Sequence, residues 1–259
     1  MTKQTKYQVI ILTNGTIVQK FQLPKGMSAS QVSFQISLDG PNSAAHDRVR
    51  GKGSFEKTRR GVARLINAGF TVELQSVLSL QSMPFIYELF NTAKEWGVSS
   101  LKFTRLISNG QGKALVSDGI DLPLTANELK IAYENIIQSA ALTNVSTSTD
   151  VPLMHLLHPS LGGHGRFFES VVIDYTGKYL ASSRSRIVLG DALSDGIESI
   201  FLKHPLLRDL RKGKVKVCRD CRFNRQCGGD RNAAFAASGD YLGADPGCWL
   251  YSTKQQICN

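Results

Sequence analysis

The sequence predicts an α/β protein in which βα units surround a mostly parallel sheet and lead into a smaller cysteine-rich module at the C-terminal end. Strand-like and helix-like segments alternate through the first two thirds of the chain, the pattern of βα units. All five cysteines lie at or after Cys218, so the metal or redox chemistry they suggest is confined to the last part of the chain. With 259 residues, there is room for one large domain, or for a domain and a smaller module.

Residues 8–12 read as a buried strand that ends at the turn Thr13-Asn14-Gly15. Residues 32–39 alternate at period two, with Val32, Phe34, Ile36 and Leu38 on one face and Ser33, Gln35, Ser37 and Asp39 on the other. A barrel strand with a filled interior is apolar on both faces, so a polar inward face implies a lumen that holds a polar ligand. A helix is expected over 54–69, capped by the Ser54 hydroxyl, carrying Glu56 in its first turn and stopped by Gly69. A strand over 70–78 again places Glu73 and Gln75 between apolar residues. Pro84 opens a helix that stops at Gly97, a strand covers 100–106, and an amphipathic helix covers 124–142.

Between 142 and 165 a Ser/Thr/Gly/His-rich connection marks the boundary between domains. Its His155, His158 and His164 are not spaced to place two ligands on one helix face. Beyond it, residues 167–174 and 178–181 read as a hairpin around the turn Asp174-Tyr175-Thr176-Gly177, and a helix over 195–210, bent at Pro205, leads to the cysteines.

The composition is that of an ordinary soluble globular chain, with 42% hydrophobic and 20% charged residues. No apolar run approaches the roughly 18 residues that span a bilayer, and no secretory signal opens the chain. We expect a cytoplasmic protein with no membrane partner. The net charge of +10 raises nucleic acid as a partner, but the basic runs at 57–64, 184–186 and 208–225 lack an aromatic platform and read as solvated surface.

The cysteine spacing is Cys218-x2-Cys221-x5-Cys227, followed after a gap by Cys248. Four thiolates in this pattern suit either zinc or an iron–sulfur cluster, and spacing alone does not choose between them. A zinc ribbon would more often show a second Cys-x2-Cys knuckle. Cys258 is the expected spare, although it could substitute for Cys248. The bland alternative is a metal that only staples a small module.

The residues around the cysteines narrow the choice. Cys218-Arg-Asp-Cys221-Arg-Phe-Asn-Arg-Gln-Cys227-Gly-Gly, Arg231-Asn-Ala-Ala, Ser238-Gly-Asp240-Tyr and Asp245-Pro-Gly-Cys248 resemble the SPASM or twitch extension of radical S-adenosylmethionine (radical SAM) enzymes. Upstream, Ile36-Ser37-Leu38-Asp39-Gly40-Pro41, His46-Asp47-Arg48-Val49-Arg50-Gly51 and Gly53-Ser54-Phe55 look like the fourth strand and following loop of that family's barrel, and Thr13-Asn14-Gly15-Thr16 like the end of its third strand. The resemblance covers nearly the whole chain. It implies an incomplete radical SAM-type (β/α) barrel over 1–145 and a small α+β cysteine-rich SPASM/twitch-like module over 146–259.

Two departures from the family shape the expectation. The Cys-x3-Cys-x2-Cys loop that holds the cluster reducing S-adenosylmethionine is absent, as is the Gly-Gly-Glu motif. The resemblance therefore implies an N-terminally truncated or split member, lacking about 60 to 100 residues at 30 or so per βαβ unit. In the extension, Ser182 and Ser183 stand where an early cysteine is expected, and Asp230 or Arg231 where another follows Cys227. One auxiliary 4Fe-4S cluster on Cys218, Cys221, Cys227 and Cys248 is thus implied.

By the same resemblance, the intact enzyme would cleave S-adenosylmethionine to a radical that abstracts hydrogen from a substrate. Ser37 is the first candidate to contact S-adenosylmethionine; Gln75 and Arg105 follow, with surface or salt-bridged barrel positions as the alternative for both. The implied partners are a peptide substrate and the missing N-terminal segment as a separate chain. A peptide-modifying maturase is expected. Tetrapyrrole or quinone-cofactor biosynthesis is the next reading, then a non-catalytic metal-binding remnant of a disrupted gene, and last a zinc-stabilised nucleic-acid binder.

Overall fold

The computed structural model describes residues 7–20, 27–149, 151–163 and 170–251. The chain divides into two compact units, residues 1–104 with 132–148, and residues 105–131 with 149–259.

The first unit is built on a five-stranded sheet of order β1-β2-β3-β4-β5, with β1 (Val9–Thr13), β2 (Val32–Ser37), β3 (Thr71–Leu78), β4 (Ser100–Arg105) and β5 (Ser146–Thr149). The strands at 32–39 and 70–78 are adjacent and parallel as expected, with Ser37 opposite Gln75 and Gln35 opposite Glu73. β1 pairs parallel to β2 on the other side. Neighbouring parallel strands cannot be joined by tight turns, so helices make the crossovers. These are α1 (Ser43–Arg50) and α2 (Ser54–Asn67) between β2 and β3, and α3 (Ile86–Glu95) between β3 and β4.

Period-two patterning decides which face of the sheet is buried. Phe34, Ile36, Val72, Leu74 and Leu78 are buried together with Val62 and Leu65 of α2 and Leu89 and Phe90 of α3. Phe34 meets Phe70 edge-on at 5.3 Å, and Phe90 meets Phe103 at 5.7 Å. The alternate residues Gln35, Ser37, Glu73 and Gln75 are only partly buried. Three of them are tied across the sheet: Gln35 Nε2 donates to Gln75 Oε1, and Glu73 pairs with Lys102 of β4 at 2.8 Å and accepts from Ser100 Oγ at 2.7 Å.

Several elements differ from expectation. The stretch from His46 to Gly51, read as loop, belongs largely to helix α1, whose N-cap is Asn42, accepting from the Ala45 N–H at 3.1 Å. Ser54 does not cap α2. The Asp47 carboxylate reaches across from α1 and accepts from the N–H groups of Gly53 (2.6 Å) and Phe55 (2.8 Å) and from the Ser54 hydroxyl (3.0 Å). Hydrogen bonding to these donors holds the Asp47 carboxyl below the usual carboxylate range. Pro84 lies in a short 3-10 turn, Met83–Phe85, that precedes α3 rather than in the helix itself.

The second unit contains α4 (Gln111–Ser117), which was not foreseen, and the three-stranded antiparallel sheet β6-β7-β8. Its strands are β6 (Val172–Ile173), β7 (Lys178–Ser182) and β8 (Ser185–Asp191); α5 (Ala126–Thr143) is shared between the two units. The beginning of the expected hairpin, 167–169, lies outside the described residues, and β8 adds a strand that the sequence reading lacked. The helix expected over 195–210 is broken at His204 into α6 (Ile197–Lys203) and α7 (Pro205–Arg211), because a proline cannot continue the helix before it. The core of this unit gathers Tyr179, Ile200, Leu207, Leu210, Val215 and Tyr241. The last helix, α8 (Arg231–Ser238), follows the cysteine loop.

Candidate metal centre

Cys218 ends a 3-10 turn, Lys216–Cys218, whose flank Val215 is buried in the core of the second unit. From there the chain folds through tight turns. The Cys221 N–H donates to the Cys218 carbonyl at 3.1 Å, the Asn224 N–H to the Cys221 carbonyl at 2.9 Å, and the Cys227 N–H to the Phe223 carbonyl at 2.8 Å. Gly228 and Gly229 follow with φ of +61° and +69°, a left-handed pair that side chains disfavour. This reversal aims the Gly229 N–H back at Cys227 Sγ, at 3.4 Å.

Cys248 arrives from the other side of the module on the turn Asp245-Pro-Gly. Its N–H donates to the Asp245 carbonyl at 3.1 Å. The Asp245 carboxylate, 2% exposed, anchors that turn. It accepts from Arg105 Nη1 at 2.8 Å, from the Gly247 N–H at 2.8 Å and from the Asp230 N–H at 2.7 Å. Asp230 in turn caps α8, accepting from the N–H groups of Asn232 and Ala233 at 2.9 and 3.2 Å. The first-turn donors of α8 are therefore taken by Asp230, and the thiol of Cys227 accepts from the Gly229 N–H.

Cys218, Cys221, Cys227 and Cys248 line one cavity of about 360 Å³, with Val217, Phe223, Leu250 and Tyr251 among its walls. Burial pushes the Cys218 thiol up to about 11 and the Cys227 thiol up to about 12, and raises Cys248 as well. The Arg231 charge opposes the shift at Cys218, and the Gly229 N–H opposes it at Cys227. Thiols so desolvated stay protonated at neutral pH unless a metal stabilises the thiolates, so metal binding here releases protons. Among the described residues, no three His, Cys, Asp or Glu side chains converge closely enough to hold a single metal ion. Four thiols around one cavity are a donor set that either a cubane, in which each iron takes one thiolate, or a single tetrahedral zinc ion could use. Cys258 and His164 lie outside the described residues.

The S-adenosylmethionine candidates fall in different surroundings. Ser37 and Gln75 are register partners on the half-exposed polar face of the first unit's sheet. Arg105 belongs to the second unit, 8% exposed and ion-paired to Asp245. An aspartate just before Pro-Gly is a turn signal, but its bond to Arg105, 140 residues away in sequence, has no local signature.

No protein-family model matches the chain. It is 32% identical to the mycofactocin maturase MftC of Mycolicibacterium smegmatis over 91% of this chain and 62% of that protein. It is 27% identical to the AdoMet-dependent heme synthase of Methanosarcina barkeri over 93% of this chain and 74% of that protein. Among solved structures, native anSMEcpe with bound AdoMet superposes with a TM-score of 0.69 at 16% identity, covering 99% of this chain and 74% of that one. The fold is of the radical SAM type. Streptococcus suis SuiB bound to its precursor peptide SuiA agrees, with a TM-score of 0.65 at 14% identity over 95% of this chain and 60% of that one. No helix among the described residues is long and apolar enough to cross a membrane.

Proposed function

We propose that this chain is the auxiliary-cluster portion of a radical SAM enzyme that modifies a peptide, with residues 146–259 forming the cluster module. The observation that carries the reading is the convergence of Cys218, Cys221, Cys227 and Cys248 on one cavity. Similarity to a maturase and to a structure with a bound precursor peptide supports the peptide substrate. Similarity to a heme synthase over most of its length keeps tetrapyrrole side-chain chemistry as the second reading. A cubane bound by four thiolates supplies one-electron transfer. The chain's own residues would hold it through the four thiols, and the Gly229 N–H donates to Cys227.

The reading includes a single cluster. Ser182 and Arg231, at positions where further cysteines would be expected, are bound to other protein groups. Ser182 Oγ donates to Asn232 Oδ1 at 2.5 Å, and Arg231 donates to backbone carbonyls. Ser37 and Gln75 remain the candidates for contact with S-adenosylmethionine. Arg105, through Asp245, holds the Cys248 turn.

Anaerobic reconstitution should give about four irons and four sulfides per chain. Cys221→Ala or Cys227→Ala should abolish cluster binding, and Cys258→Ala should leave it intact. Stoichiometric zinc in anaerobically purified protein, with no iron uptake, would overturn the cluster reading in favour of a stapled module. Substrate class is settled separately by offering the holoenzyme a precursor peptide or a tetrapyrrole and following product mass.

The 259 residues contain no Cys-x3-Cys-x2-Cys run. Four-thiolate ligation leaves no open iron site for S-adenosylmethionine. On this reading the reduced, reconstituted chain by itself releases no 5′-deoxyadenosine above background, and its detection by chromatography would refute that point.

A further inference from the structure

Arg231 is 1% exposed and is the largest fully buried side chain among the described residues. A guanidinium stays protonated in proteins, and a buried charge is normally paired with an opposite one. Arg231 departs from that rule. Its Nε donates to the Gly229 carbonyl at 3.2 Å, and its Nη1 to those of Tyr241 and Gly243 at 3.0 and 2.8 Å. Nη2 has no hydrogen-bond partner among the described residues. The two buried carboxylates of this region are otherwise engaged, Asp245 with Arg105 and Asp230 with the first turn of α8. Every hydrogen bond of this positive charge therefore goes to a neutral carbonyl, and the one carboxylate that its field clearly lowers, Asp240, is bonded to Lys216 instead.

The charge lies against the wall of the cysteine cavity. Gly229 lines that cavity, and a Cβ built on Gly229 would come within 2.5 Å of Arg231 Nη2. A cubane bound by four thiolates carries net negative charge, which increases on reduction. We propose that Arg231 is the counter-charge of this cluster, a positioning residue that stabilises the bound cluster and, more strongly, its reduced state. The proposal rests on the cluster reading above. It also gives the arginine a use where the family resemblance would place a cysteine.

The competing account is that Arg231 only stitches three loop carbonyls together. The two differ in what the charge itself does. Arg231→Lys keeps the charge and loses the fork of hydrogen bonds; Arg231→Gln removes the charge and keeps donors. Each variant is reconstituted anaerobically, iron is counted, and the midpoint potential is followed by electron paramagnetic resonance during dithionite titration with mediators. In Arg231→Gln the reduction equilibrium should move against the reduced cluster by about tenfold or more, about 59 mV for one electron. Arg231→Lys should stay within about threefold of the unsubstituted chain.

An unchanged potential in fully loaded Arg231→Gln, or equal shifts in both variants, would overturn the proposal. If Arg231→Gln loads no iron while Arg231→Lys does, the charge is what matters and the proposal stands. Equal loss of iron from both would assign Arg231 to stitching alone and overturn it. Failure of the unsubstituted chain to take up iron is a different result, since it removes the cluster reading before any substitution is compared.

Discussion

His46 shows how one side chain ties local structure to solution behaviour. It is 1% exposed, and its Nδ1 accepts from the Asp39 N–H at 3.1 Å, so the fold uses the neutral ring. Burial lowers its pKa below 6.5, outweighing the opposing pull of Asp39. The unfolded chain therefore binds the proton more readily than the folded one, and stability is lost as pH falls through 6.5 toward the folded value. The slope in that window is up to about 1.4 kcal/mol per pH unit from this one group. His46→Asn, which retains an acceptor, should be less stable at pH 7.5 but show a shallower decline in thermal midpoint down to pH 5.5; His204, also lowered by burial, leaves some slope behind. A decline as steep as that of the unsubstituted chain would remove His46 from this role.

Between elements, the seam that α2 makes with the end of β1 decides how closely helix and sheet approach. Gly61 lies mid-helix, where alanine would normally be favoured by about 1 kcal/mol. Here a Cβ would meet the Gly15 carbonyl oxygen at 2.2 Å. Thr58 Oγ1 donates to the neighbouring Asn14 carbonyl at 2.8 Å, and Gly15 itself, at φ +74°, packs against Ile36. Gly61→Ala should therefore destabilise the chain by about 1–3 kcal/mol, read as a lowered urea midpoint at unchanged slope. A stabilised Gly61→Ala variant would mean that α2 can move away freely. Helix α1 escaped the sequence reading for a different reason: only eight residues long, with Arg48 and Arg50 in its last turn, it has a weak apolar stripe and is held by Asn42 and by the Asp39–Arg50 ion pair at 2.6 Å.

At the scale of the whole molecule, β1 is an outer strand of the five-stranded sheet, and it is apolar on both faces. Val9 is 47%, Ile10 56% and Leu12 69% exposed, on a strand that pairs on one side only among the described residues. Apolar edges of this kind associate with other strands. The purified chain should self-associate with rising concentration in sedimentation experiments, and Ile10→Lys combined with Leu12→Lys should shift it toward monomer, since edge lysines oppose pairing. A chain that stays monodisperse and monomeric at high concentration would count against an adhesive edge.

The sequence by itself determined the period-two strands, the helices long enough to show a clear apolar stripe, and the clustering of cysteines from Cys218 onward. These rest on local spacing, which a single sequence carries in full. Tertiary structure decided the rest. That Asp47 rather than Ser54 caps α2, that Asp230 takes the donors of α8, and that Asp245 fastens the Cys248 turn to Arg105 all depend on groups distant in sequence or on which of two adjacent polar residues points inward. Spacing alone left zinc and iron–sulfur open; the gathering of four thiols around one cavity is a property of the folded chain. The burial of Arg231 among neutral carbonyls belongs to the same class, because a sequence lists a charge but not the solvent it has lost.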